Sequence, residues 1–225
     1  MLRNYLKIAL RNLLKYKAYS LINILGLAVG ITACMMILLY VNDELSYDKY
    51  NIKADRIYRF YGRAHMQGRE FKMAVTPAPA GATLVRDFPE VVQYTRLLPS
   101  SNMLIRYKNN VFIENRFFWA DSTLFDVFTI PFIEGNRKTA LDQPHTVVLT
   151  ESLAKKYFGN EDPLGKTIKY EHNYDFKVTG VIQDVPENSH FHYDFLASFI
   201  TLYNPQAIGR KTLETNWGSN NYITY

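Results

Sequence analysis

From Ala18 to Asn42 the chain carries no charged residue, and its centre, Leu21 to Val41, is almost wholly apolar. At a rise of about 1.5 Å per residue, 21 helical residues reach across the roughly 30 Å of a bilayer's hydrocarbon core. The core helix of a soluble domain is usually shorter and has amphipathic neighbours. A secretory signal has an apolar region of about 7 to 15 residues followed by a small-x-small cleavage site. Here the run is longer and ends in Tyr40-Val-Asn-Asp-Glu-Leu45. The sequence therefore predicts an uncleaved transmembrane helix over residues 18–42.

The flanks orient it. Arg3, Lys7, Arg11, Lys15 and Lys17 precede the span, nothing before Asp43 is acidic, and these five residues account for the whole formal net charge of +5. The positive-inside rule places the N-terminus in the cytoplasm and everything after Asn42 outside it. The remainder is charge-neutral and makes a poor nucleic-acid binder, so no nucleic-acid partner is expected. Within residues 1–17, Leu2, Leu6, Leu10, Leu13 and Leu14 fall on one helical side and the basic residues recur every four positions beside them. Such a helix lies on membrane lipid with its cations towards anionic headgroups.

Inside the span, Asn23, Gly26, Gly30 and Ala33 share one face, and small residues there let another helix approach closely. Tyr16, Tyr19 and Tyr40 bracket the apolar stretch at headgroup depth. The single cysteine, Cys34, lies in the middle of it, which excludes an intrachain disulfide.

Residues 43–225 change texture to short strands and turns, with no internal repeat and no second apolar span. Strands are expected at Ile57–Arg63, at Phe71–Val75 after a Gln67-Gly68 turn, and at Val91–Leu98, Val111–Trp119 and His190–Leu196, with Lys166–Tyr170 pairing Phe176–Val181. Helices are expected from Pro77 and Pro79 to Phe88, from Thr123 to Phe128 capped by Asp121-Ser122, and from Glu151 to Phe158 between Thr150 and Gly159. The fold class is α+β.

Catalytic constellations are weak. Gly159-Asn-Glu-Asp-Pro-Leu-Gly165-Lys166-Thr167 has five residues between its glycines where a phosphate loop has four, and Glu161 and Asp162 would repel phosphate; it reads as a turn. His190, His192 and Asp194 alternate, but no second cluster completes a metal shell. No serine has a Gly-x-Ser-x-Gly context, and Asp43, Glu44 and Asp48 read as a solvated flank. No catalytic, cofactor-binding or metal residue is assigned.

Several blocks together resemble one family. Arg11-Asn-Leu-Leu-Lys15, Ser20 to Ile31 and Asp43-Glu-Leu-Ser-Tyr-Asp-Lys-Tyr50 are similar to the N-terminus of MacB/FtsX-like ABC transporter permeases. Ala120-Asp-Ser-Thr-Leu-Phe-Asp-Val-Phe128, Val148 to Gly159, Asp162-Pro-Leu-Gly-Lys166 and Val178 to Pro186, ending near Ser189-His190, resemble the family's periplasmic core domain. The resemblance implies a two-lobed exported domain, a bacterial inner-membrane location and pairing with a cytoplasmic ABC ATPase that binds the ATP and magnesium. It further implies a second permease copy, and periplasmic partner proteins in some members. Its members export macrolides, peptides or toxins, extract lipoproteins or regulate cell-wall hydrolases. They also carry further membrane helices after the core domain, so the sequence is expected to be a fragment ending within a strand. Two other readings compete: a single-span anchored binding or sensor domain, and, more weakly, an anchored hydrolase.

Overall fold

The computed structural model describes residues 2–170, 174–203 and 213–225, in two compact units, Met1–Tyr47 and Asp48–Tyr225. The first unit is two helices, α1 (Leu2–Lys15) and α2 (Lys17–Glu44). They are separated at Tyr16, whose φ of −108° and ψ of 59° are not helical. Hydrogen bonding passes through the break, from the Tyr16 N–H to the Asn12 carbonyl and from the Ser20 N–H to the Tyr16 carbonyl, both at 3.0 Å. No side chain of α2 is buried by the rest of the chain. Its 28 residues amount to about 42 Å, longer than the roughly 30 Å of a hydrocarbon core.

The second unit begins with a 3₁₀ turn, Ala54–Arg56, and a hairpin of β1 (Gly62–Met66) and β2 (Arg69–Met73). Gln67 and Gly68 turn it with φ of 51° and 74°, the positive values that two-residue hairpin loops need. Then follow β3 (Thr76–Pro77), α3 (Ala80–Asp87), β4 (Arg96–Ser100), β5 (Met103–Tyr107), β6 (Asn110–Glu114), β7 (Phe117–Ala120) and α4 (Leu124–Val127). The chain continues through β8 (Phe132–Gly135), β9 (Thr146–Thr150), α5 (Glu151–Phe158), β10 (Thr167–Tyr170), β11 (Tyr174–Ile182), β12 (Phe195–Ser198), a 3₁₀ turn over Phe199–Tyr203, and β13 (Asn220–Thr224). Apart from the hairpin the strands form one mixed sheet in the order β3-β13-β4-β7-β12-β9-β11-β10-β5-β6, with β8 added to β11. The pairs β7/β12 and β9/β11 are parallel.

The central strands are covered on both faces, as their sequences require. All five residues of β9 and all four of β12 are buried. Side chains alternate: Val147, Leu149, Phe195, Ala197, Phe117 and Trp119 belong to one apolar cluster, which α5 closes with Leu153, Tyr157 and Phe158. Val148, Leu196 and Ala120 point into another, closed by Leu124 and Phe125 of α4. The described residues of this unit thus form the β1/β2 hairpin and a mixed sheet with two apolar faces.

The structure corrects several expected elements. Residues 57–61 are irregular, with Phe60 forming one bridge to Thr224, and the first strand starts at Gly62; the second is Arg69–Met73, two residues earlier than expected. Residues 91–95 are irregular ahead of β4. The single strand expected over Val111–Trp119 is two, β6 and β7, and His190–Asp194 lies outside any strand, β12 starting at Phe195. Neither expected cap makes a side-chain cap bond: Thr123 occupies the α4 cap position, and the Asp121 carboxylate is held by Arg96. At α5, Thr150 has the extended backbone of a cap, while the Ser152 N–H donates to the Asp184 carboxylate at 3.1 Å.

Gly135 and Gly180 face each other where β8 meets β11. Gly135 has φ of +94°, and a Cβ there would sit 2.5 Å from the Thr179 carbonyl oxygen. Gly68 has φ of +74° but open space around it. Gly135→Ala is therefore expected to lose about 1–3 kcal/mol of stability, clearly more than Gly68→Ala. Denaturant unfolding followed by the fluorescence of Trp119, which is buried, checks the order.

Candidate functional site

The residues expected to meet membrane and partners lie on the helical unit. Arg3, Lys7, Arg11 and Lys15 run along α1 one turn apart and are exposed, and Lys17 opens α2. The Lys15 ammonium also sits over the Tyr16 ring, 5.5 Å from its centroid, so the basic row ends at the break between the helices. On α2, Asn23, Gly26, Gly30 and Ala33 are all exposed and fall within one side of three turns. A Cβ at Gly26 or Gly30 would meet nothing within 4 Å. This chain does not itself need their smallness. Cys34 is exposed on the same helix.

In the domain, the other motifs resolve into structural contacts. The Leu164 N–H donates to the Asp162 carboxylate at 2.8 Å and the Gly165 N–H to the Val178 carbonyl at 2.8 Å, so these amides do not converge on an anion. Glu161 accepts from Lys108 and Lys166, which hold its carboxyl below the ordinary range. His190 pairs with Asp48 at 2.7 Å, while Asp194 lies 4.0 Å from Arg116. Among the described residues no group of three His, Cys, Asp or Glu is placed to hold a metal.

Two polar groupings that the sequence did not point to lie at the core. Arg96 Nε and Nη2 each donate at 2.8 Å to a different oxygen of Asp121, and the Arg96 main-chain N–H donates to the same carboxylate at 2.8 Å. Arg96 Nη1 reaches the Ala78 carbonyl at 3.1 Å and the Tyr203 hydroxyl at 3.2 Å, and the guanidinium lies 4.2 Å from the centre of the Phe199 ring. The two side chains are 6% and 15% exposed. Burial disfavours the guanidinium charge, but the hydrogen bonds and negative charge of Asp121 outweigh it and raise the pKa. In the second grouping, Glu114 of β6 accepts from the Tyr157 hydroxyl and from Lys156 Nζ, both at 2.7 Å. Burial and the Glu114 carboxylate raise the Tyr157 pKa, leaving the phenol a fixed donor. Nothing in local spacing announces either pair, because the partners are 25 and 43 positions apart.

An apolar helix followed by a mixed α+β sheet domain with two buried polar groupings defines the class. The family is then direct: the model of the MacB-like periplasmic core domain matches residues 20–223, and the chain belongs to that family. The macrolide export ATP-binding/permease protein MacB of Aggregatibacter actinomycetemcomitans is 26% identical over 196 residues, which is 84% of this chain. The match spans 29% of that relative's length. A domain of a permease protein from Porphyromonas gingivalis shares the fold with a TM-score of 0.61 at 24% identity, over 73% of this chain and 68% of that one. The periplasmic region of MacB from Actinobacillus actinomycetemcomitans superposes more loosely, with a TM-score of 0.48 at 22% identity over 67% and 64% of the two chains. Among the described residues α2 is the one helix long and apolar enough to cross a membrane. With a domain of a periplasmic family behind it, the chain is a membrane-anchored protein with an extracytoplasmic domain.

Removing one partner of a buried ion pair strands the other. Asp121→Ala is expected to cost about 3–5 kcal/mol, and Arg96→Met combined with it to recover part of that loss. The double-mutant cycle of unfolding midpoints measures the coupling.

Proposed function

We propose that this chain is the N-terminal part of a permease subunit of a MacB/FtsX-type ABC transporter in the bacterial inner membrane. In this reading the N-terminus is cytoplasmic, α2 crosses the bilayer, and the domain works outside it. ATP turnover belongs to a cytoplasmic ATPase that binds the nucleotide and magnesium, so this chain's own task is mechanical: to carry motion along α2 to the extracytoplasmic domain. Efflux, lipoprotein extraction and envelope regulation all suit that task. The observation that carries the reading is the family match itself, which starts inside the apolar helix and ends in β13.

Each surface of the helical unit then has a role. The row Arg3, Lys7, Arg11 and Lys15, with Lys17, rests on anionic lipid and faces the ATPase. The Asn23, Gly26, Gly30 and Ala33 face packs against a membrane helix of a second permease copy or of the same subunit, since close backbone approach is what small residues give a membrane interface. Affinity purification of the protein from its native membrane, after crosslinking, tests this. An ATP-binding subunit is expected to co-purify, with recovery falling about tenfold in Gly26→Leu/Gly30→Leu, a loss of about 1.4 kcal/mol, and falling also in Arg11→Glu. Recovery of no ATP-binding protein contradicts the proposal.

A further inference from the structure

The far end of the Asp43–Tyr50 block is tied to the domain by several hydrogen bonds. Asp48, with φ of 57°, turns a corner that is unusual for a residue with a side chain. Its N–H donates to the Asn188 carbonyl at 2.9 Å, and its carboxylate accepts from the His190 N–H at 3.1 Å and pairs with His190 Nδ1 at 2.7 Å. Two residues later the Tyr50 hydroxyl meets Ser189 Oγ at 2.8 Å.

Asn51 is the pin. It is 4% exposed, and its amide is used at both ends: Nδ2 donates to the Asp48 carbonyl at 3.0 Å, and Oδ1 accepts the Thr129 N–H at 2.9 Å. The Ile52 N–H returns the bond to Thr129 Oγ1 at 2.9 Å, and Lys53 Nζ donates to the Asp126 carbonyl at 2.6 Å. Five of the six residues 48–53 thus bind two distant segments, 126–129 and 188–190. The first is the C-terminal end of α4, which closes one face of the sheet, with the two residues after it, and the second leads into the central strand β12.

We infer that residues 48–53 are a latch through which displacement of α2 is delivered to the extracytoplasmic domain, with Asn51 as its positioning residue. The inference rests on the permease reading above. Helix α2 ends at Glu44, and the four residue-to-residue steps from there to Asp48 span at most about 14 Å even when fully extended. A pull larger than that must arrive at Asp48. There it meets a buried amide and several hydrogen bonds that must break together, whereas an exposed loop would absorb it. The load is then shared between the α4 turn and the lead-in to β12, two parts of the domain that are otherwise far apart in sequence.

Amide hydrogen exchange on the protein in lipid nanodiscs with its co-purified ATPase, with and without a trapped ATP analogue, tests the latch. In the native protein the nucleotide is expected to change exchange at 126–129 and 188–190 by about threefold or more. In Asn51→Ala the amides of 48–53 exchange faster, β9 and β12 stay protected, and the nucleotide effect at both turns is lost. Tyr50→Phe removes one hydroxyl, keeps the ring, and is expected to give a partial loss should Asn51→Ala not fold. A nucleotide effect at the two turns that survives undiminished in a variant with an unprotected 48–53 segment overturns the latch and leaves the permease reading standing. No nucleotide effect anywhere in the native chain overturns both.

Discussion

The buried Arg96–Asp121 pair holds together parts of the domain that the hydrophobic effect alone would leave loosely registered. One guanidinium touches the carboxylate that follows β7, the carbonyl of Ala78 ahead of α3, the hydroxyl of Tyr203 and the ring of Phe199. Those groups come from three separate parts of the chain, the residue after β7, the segment ahead of α3 and the 199–203 turn, and an apolar side chain at position 96 could satisfy none of their polar atoms. Burial makes the pair costly unless every contact is made, so the cost falls on any arrangement in which β4, β7 and the 199–203 turn are misaligned. The Arg96 N–H also uses the carboxylate, which fixes the register at the edge where β4 passes to β7. Around this hub the apolar clusters need only fill space.

A second constraint comes from the membrane side. A helix without a charge from Ala18 to Asn42 presents an apolar surface, and none of its residues is buried. The domain, in turn, balances its charges without the lead. The sequence thus separates a unit suited to lipid from one suited to water, and the short segment after α2 is the covalent link between them. On the domain side of that link, residues 48–53 are tied to the rest of the domain by several hydrogen bonds.

That the basic lead and the apolar run are both helical was legible, because a charge-free run of this length and a four-residue basic repeat leave few alternatives. In the domain, legibility followed local chemistry. Gln67-Gly68 and Gly159 mark their turns by backbone need, and α5 and the β10/β11 pair were found where expected. Strand β9 was missed because Thr146-Val-Val-Leu-Thr150 is buried on both faces and so lacks alternation. Strands β6 and β7 were fused because Asn115 and Arg116 interrupt them without a glycine or proline. Asp121 carries the composition of a helix cap and was read as one, whereas its partner Arg96 lies 25 residues earlier on another strand. The same blindness hid the latch: Asp48 looked like a solvated flank, and only the fold brings His190 to it.

All of this depends on one topological claim, that α2 crosses the bilayer and delivers the domain to the far side. Reporter fusions after Tyr225 test it most directly. Alkaline phosphatase, which is active only outside the cytoplasm, is expected to be active there, and β-galactosidase, active only within it, to be silent; the reverse pattern would contradict the account.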